Sequence, residues 1–337
     1  MSTPTTVQLV GSVPLSNADE VFRTASRWLG RRLRRLPDGE TGDRIQWIVW
    51  QFPILSRHPD IQMVPAQNDY SPQPRLRLRN PAPLVLGPVG YAEVARASYV
   101  RFSYLKEEGI IPERCRFQVS LPTPRAVAQV FAVEPDQARF EQAYETRMLK
   151  EVEEICEAVP RAELAIQWDV AVEIGMLEGV WKPEFDLRPG LWTRLARLGE
   201  AVPPEVELGF HLCYGDYGHE HFIQPKDMGI LVEVSNALST GIRRAVDWIH
   251  MPIPRGRSDD AYFEPLRQLK LQPATELILG LVHFTDGLEG GQRRISAAQK
   301  VVRRFGIATE CGLGRRPRET IEPLLKLHAE LADSLAR

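Results

Sequence analysis

Phe210-His211-Leu212-Cys213 closes an apolar run that begins near Glu205. Strand side chains alternate with a period of two, so His211 and Cys213 leave one face of a strand end and set an imidazole beside a thiol. Such a pair of donors suits zinc, although taken alone it more often describes a packed histidine next to a buried cysteine. The two readings separate on whether the rest of the chain brings further donors to the same place. Polar residues of the right kind recur at the ends of other apolar runs: Ser12, Glu40, Asp169, His250, His283 with Asp286, and Cys311.

The elements that would position these residues follow from the pattern. Strand-like runs begin near residues 7, 33, 117, 162, 205, 246, 276 and 307, and each leads on to a helical stretch. In residues 136–158, Phe140, Tyr144, Met148, Val152 and Ile155 recur at helical spacing and predict one buried face. Helix is also expected over 45–54, 91–108, 227–244, 262–269, 291–305 and 317–335. Eight strand–helix units are the count of a (β/α)₈ TIM barrel, whose active site gathers at the C-terminal strand ends. The expectation is therefore a single TIM-barrel catalytic domain over 1–337. An irregular insertion between strands 2 and 3 makes residues 56–116 accessory. Residues 56–88 are rich in Pro, Gln, Asn and Arg, with an accessory strand expected at Leu84-Val85-Leu86.

Hydrophobic residues make up 43% of the chain, charged residues 26%, and the formal charge is -2, a balance that points to neither nucleic acid nor an acidic membrane surface as partner. Arg31, Arg32, Arg34 and Arg35 read as a solvated helix end. No run approaches the roughly 18 apolar residues of a membrane span, and Met1-Ser2-Thr3-Pro4-Thr5 lacks a basic region followed by an apolar one, so a cytoplasmic protein is expected. Four widely spaced cysteines are too sparse for a disulfide framework. Cys115 and Cys156 fall away from strand ends and read as packing. Plainer roles exist for the others: His250 as a core histidine bonded to a carbonyl, Cys311 as a small buried hydrophobe, Asp169 as a helix cap, Glu40 as a tie within its own turn. His219 and His221 read as exposed loop residues, with the lesser alternative that one of them reaches the metal or substrate.

The order of motifs resembles the C-terminal catalytic barrel of the cobalamin-independent methionine synthase family, within a superfamily that includes uroporphyrinogen decarboxylase and corrinoid-linked methyltransferases. Gly11-Ser12-Val13-Pro14, Asp38-Gly39-Glu40, Ile166-Gln167-Trp168-Asp169, His211-Leu212-Cys213-Tyr214, Leu279-Gly280-Leu281-Val282 and Glu310-Cys311-Gly312-Leu313 carry it, in the family's order. The resemblance implies His211, Cys213 and Cys311 as zinc ligands. It implies that Glu40 and Asp169 hold the amino group of a thiol amino acid, and that Gly11 and Ser12 belong to the pocket for its carboxylate. The implied activity is a zinc-dependent methyl or alkyl transfer to a zinc-bound thiol such as homocysteine, with Asp169, His283 and Asp286 as catalytic groups.

Two departures from the family qualify this reading. Where the family has a glutamate ligand, this chain has His250, so the expected metal set is His211, Cys213, His250 and Cys311, with Glu233 ranked behind. Residues 122–131 lack the pattern that serves a folate donor, so the methyl donor is expected to be another small molecule or a corrinoid protein rather than methyltetrahydrofolate. The His250 exchange also motivates a second reading, zinc as Lewis acid in hydrolysis, elimination or C–S cleavage. A third keeps the barrel as a non-catalytic ligand-binding module.

Overall fold

The computed structural model describes residues 5–66, 74–215 and 220–335. Nine strands occur among them: β1 Arg35–Pro37, β2 Ile61–Val64, β3 Arg75–Leu78, β4 Arg116–Pro122, β5 Leu164–Val170, β6 Glu207–Leu212, β7 Trp248–Pro252, β8 Glu276–Gly280 and β9 Gly306–Ile307. Seven of them form one parallel sheet in the order β1-β4-β5-β6-β7-β8-β9. Its neighbours in sequence are neighbours in space, and the helical connections cover its outer side. Strands buried on both faces read as unbroken apolar runs. In β5 every residue is buried.

An eight-stranded closed barrel is not what forms. The run near residue 7 is reduced to a single bridge, Val7 to Ile307. Val7 N–H reaches Arg32 O at 3.0 Å and Gln8 N–H reaches Ile307 O at 2.9 Å, with no ladder beyond. The reason lies just downstream, where interior side chains take the carbonyls that a ladder would use. Val10 O accepts from Gln118 Nε2 and Gln167 Nε2, each at 2.8 Å, and from Ser120 Oγ at 3.0 Å. Buried backbone acceptors need partners, and here amides from β4 and β5 supply them. The result is a curled seven-stranded sheet whose gap this first segment spans.

The interior is filled in layers, as in a packed barrel. At the N-terminal end of the strands Arg35, 2% exposed, pairs with Glu207 at 2.5 Å and Glu276 at 3.5 Å, its guanidinium lying 4.1 Å from the Trp248 ring centroid. Trp248 packs with Ala165, Ile278 and Ala308 in the next layer. Gly209 stands opposite Trp248 in the register, and a Cβ there would lie 1.9 Å from the indole. Gly209→Ala is therefore expected to destabilise the protein by at least about 3 kcal/mol, the upper end of ordinary overpacking penalties, because an aromatic ring between two strands has no room to retreat. Urea denaturation of the variant measures this. An unchanged midpoint would show that the layer is looser than it looks.

Three local expectations are corrected. Leu84-Val85-Leu86 is not a strand: Pro83 and Pro88 bracket it, and Val85 is 78% exposed with no neighbouring strand. The insertion instead carries the antiparallel pair β2–β3, and Leu76 bridges to Ala132. The helix expected over 45–54 is broken. A 3₁₀ turn, Gly42–Gln46, precedes Trp47 in the left-handed region at φ 53°, and α-helix resumes only at Gln51–Ser56. The helix expected over 262–269 runs Asp260–Phe263 and then tightens to 3₁₀ at Glu264–Gln268, since Pro265 removes an N–H. Sequence periodicity also left residues 124–131 unassigned, where Thr123 Oγ1 caps Ala126 N at 3.2 Å and starts the helix Pro124–Phe131. Among the described residues, no helix is long and apolar enough to cross a membrane.

Candidate metal and substrate site

A cavity of about 440 Å³ opens at the C-terminal strand ends. Its walls include Gly11, Ser12, Glu40, Asp169, His211, Cys213 and Cys311. The parallel register brings these residues together: Asp169 of β5 faces His211 of β6, and His211 faces His250 of β7. The turns bearing Ser12 and Cys311 are knit by Leu313 N–H to Ser12 O at 2.7 Å and by Gly314 N–H to Ser12 Oγ at 3.2 Å. Ser12 is thus partly occupied in holding two loops together.

Glu40 is held in the left-handed region at φ 45°. Asp38 stabilises that turn, accepting from Glu40 N at 2.9 Å, from Arg44 Nη2 at 2.7 Å and from Ser98 Oγ at 2.7 Å. Gly11 leaves the space that the Glu40 carboxylate fills, since a Cβ at 11 would stand 2.9 Å from Glu40 Oε1. Asp169, 7% exposed, accepts from Gln167 Nε2 at 2.9 Å. Burial raises its pKa to about 7, against the hydrogen bond from Gln167 that favours the anion. Burial likewise pushes Glu40 well above the carboxylate range, aided by the Asp169 charge and opposed by Arg44. Two carboxyl groups thus face one cavity, each pushed by burial toward its protonated form.

Beside them, donor atoms of His211, Cys213 and Cys311 lie within 4.8 Å of one another. The Sγ atoms of Cys213 and Cys311 are 3.8 Å apart and both thiols are free of disulfides. Sulfurs 2.3 Å from a common tetrahedral zinc would lie about 3.8 Å apart, so the pair is spaced for one ion. His211 is 2% exposed and its Nε2 has no hydrogen-bond partner among the described residues. Orphaned polar atoms this deep are rare, and a metal would satisfy this one.

His250 is next to this cluster and is not part of it. Its Nδ1 lies 2.7 Å from His211 Nδ1 and its Nε2 is 3.0 Å from Thr309 O, so both nitrogens are engaged within the protein. Of the four expected ligands, the structure thus gathers His211, Cys213 and Cys311 and leaves His250 bonded outside that group. Glu233 is also outside the group: it sits on the helix Gly229–Gly241, paired with Arg188 at 2.5 and 3.0 Å.

His283 and Asp286 do not line the cavity. Asp286 is held bidentately by Arg294 at 2.7 and 2.9 Å, an arrangement that anchors the helix Gly287–Gln299. His283 Nε2 donates to Ile253 O at 2.9 Å, while its Nδ1 is 3.4 Å from Glu310 Oε2. The other Glu310 oxygen is 3.2 Å from His221 Nε2, so His221 is drawn inward rather than exposed. His219 lies outside the described residues. Residues that sequence reading missed are Trp47, Trp181 and Phe222, which supply apolar wall, and Arg75 and Lys182, which add positive charge. The Gly-containing turn at 39–42 was a signal for Trp47. The others come from connections with no periodicity.

No known family matches the chain by sequence profile, and no curated protein sequence matches it. Solved structures do. A B12-independent methionine synthase from Shewanella sp. W3-18-1, in complex with selenomethionine, superposes with a TM-score of 0.66 at 15% identity, over 99% of this chain and 98% of that one. A putative vitamin-B12 independent methionine synthase from Listeria monocytogenes gives 0.58 at 15%, over 99% and 98%. A methyltransferase from Methanosarcina mazei gives 0.57 at 12%, over 100% and 96%. At these identities the likeness is one of fold, and it extends over essentially the whole chain.

Proposed function

We propose that this protein is a zinc-dependent transferase of the methionine-synthase type, which moves a methyl or related alkyl group to the thiol of an amino acid such as homocysteine. The observation that carries this reading is that the His211, Cys213 and Cys311 donors and the Glu40 and Asp169 carboxylates share one cavity wall. Selenomethionine in the Shewanella relative supports an amino-acid substrate with a chalcogen in its side chain.

His211, Cys213 and Cys311 would hold the zinc, whose Lewis acidity would favour the thiolate form of a substrate thiol at neutral pH. The protein's own residues do the rest. Glu40 and Asp169 bind the substrate ammonium, and that positive charge draws both carboxyls into their ionised form. Gly11 and the turn at Ser12 receive the carboxylate end. Trp47, Trp181 and Phe222 exclude water from the reacting side chain, and the same cavity, lined also by Arg75 and Lys182, takes the methyl donor. That donor is a small molecule other than methyltetrahydrofolate, or the cobamide of a corrinoid protein.

Incubation of the zinc-loaded protein with homocysteine and a panel of methyl donors tests the proposal by mass spectrometry. Methionine formation supports transfer, whereas release of sulfide or ammonia without a thioether would move the reading to lysis. The lytic alternative was motivated by His250 as a ligand, and His250 stands outside the cluster. Gly11→Ala separates the two halves of the site, because its methyl would displace Glu40 and leave the metal donors untouched. Amino-acid affinity should fall about 10- to 100-fold, the worth of one charge-assisted contact, with zinc content unchanged. Calorimetry with homocysteine checks it, and unaltered affinity would remove Glu40 from the substrate site.

A further inference from the structure

We propose that His250 is a positioning residue that fixes the tautomer and direction of His211 through a two-imidazole chain anchored on the Thr309 carbonyl. A carbonyl oxygen only accepts, so His250 Nε2, 3.0 Å from Thr309 O, carries the ring proton. A neutral imidazole has one N–H, which makes His250 Nδ1 an acceptor. The atom 2.7 Å away is His211 Nδ1, which must therefore be the donor. The His211 proton is thus placed on Nδ1, and the lone pair on Nε2, which has no hydrogen-bond partner among the described residues and is the nitrogen left over for a metal once Nδ1 is engaged by His250. Both rings are buried and neither is hydrogen-bonded to a carboxylate among the described residues, conditions that keep an imidazole neutral.

Two further contacts belong to the same device. A Cβ at Gly280 would stand 2.7 Å from His250 Nε2 and 2.8 Å from Thr309 O, against both ends of the anchoring bond. Glycine is thus the residue type that lets the bond form. Thr309 Oγ1 in turn donates to Cys311 O at 2.7 Å. One residue therefore ties the imidazole chain from β6 to the turn that presents the second thiol. The position where a fourth ligand was expected instead orients an existing one and leaves three protein donors, which is the arrangement of a zinc site open to substrate.

The tautomer assignment rests on hydrogen-bond geometry alone, and only its effect on metal affinity rests on the proposed zinc centre. Side-chain ¹⁵N–¹H correlation spectra of the metal-free full chain, labelled at histidine, should show His211 protonated at Nδ1 and His250 at Nε2. A His211 protonated at Nε2, or an imidazolium at neutral pH, would overturn the proposal. In zinc competition titrations, His250→Phe keeps the volume and removes both bonds, and affinity should fall 10- to 100-fold, the usual effect of losing a ligand's outer partner. His250→Gln, whose Oε1 can accept from His211 while Nε2 donates to Thr309, should recover affinity to within a few-fold. Equal affinity in all three proteins would sink the idea, as would a Gln variant no better than Phe. Should His250→Phe fail to fold, Gly280→Ala, which separates the same bond by one methyl, replaces it in the titration. If the wild-type chain binds no zinc, the functional reading fails while the spectra still decide the tautomer.

Discussion

Cys213→Ser and Cys311→Ser are each expected to lower zinc from about one ion per chain to less than a tenth of that, and to reduce methyl transfer by about a thousandfold. The exchange is nearly isosteric, so packing changes little: Cys213 is 5% exposed and surrounded by β6 and its loop. What changes is charge and softness. Two thiolates neutralise a divalent ion, whereas one thiolate, a hydroxyl and a neutral imidazole leave it uncompensated in a buried position. Metal content by atomic spectroscopy after chelator-free purification checks the first half. Thermal unfolding checks it independently, because a chelator should lower the midpoint of the wild-type protein and leave the serine variants where they are. Undiminished zinc in both variants would remove the metal centre altogether.

Asp169→Asn should stabilise the metal-free protein at pH 8 while impairing its binding of an amino acid. The sign follows from the raised pKa. Asp169 titrates at about 7 in the fold against 3.8 when free, so the native state holds its proton more tightly than the unfolded one. The associated stability is fully present below about pH 4 and is lost as the pH rises through 7. At pH 8 the buried charge opposes folding by up to about 4 kcal/mol, the equivalent of that shift. Asparagine has no charge to bury and can still accept from Gln167. The stability difference between variant and wild type should therefore grow between pH 4 and pH 8, as measured by urea denaturation. A flat difference would show that Asp169 is ionised without penalty. Substrate ammonium reverses the logic, since its charge favours the carboxylate, and the same substitution should weaken homocysteine binding by about 10-fold or more. A residue that weakens the empty protein and strengthens its complex is the usual mark of a binding site.

Much of this arrangement is legible in the chain because strand periodicity is local. The His-x-Cys spacing requires that His211 and Cys213 share a face once residues 207–212 are extended, whatever surrounds them. The seven runs that formed the sheet begin within about three residues of where hydrophobic pattern places them, and the helix Gln137–Ala158 follows directly from its apolar spacing. Glu40, Asp169 and Cys311 could be grouped with the motif because parallel strands align their C-terminal ends.

What the pattern could not decide is who bonds to whom across strands. Thr6–Val10 has the composition of a strand, yet the glutamines of β4 and β5 occupy its carbonyls, a competition visible only when three segments meet. Asp286 stands at a strand end like the others, and Arg294 claims it from the next helix. His250 occupies the expected position of a ligand, and the sequence by itself determined that much: an imidazole level with His211 at the mouth of the sheet. Its role was decided by the tertiary structure. The absent Cβ of Gly280 on β8 leaves room for the hydrogen bond between His250 Nε2 and Thr309 O, and the other ring nitrogen lies 2.7 Å from His211 Nδ1, so both are engaged within the protein. Ligand type is a property of the residue, whereas ligand availability is a property of its hydrogen-bond partners, and for His250 those are His211 on β6 and Thr309 just past β9, far apart in the chain.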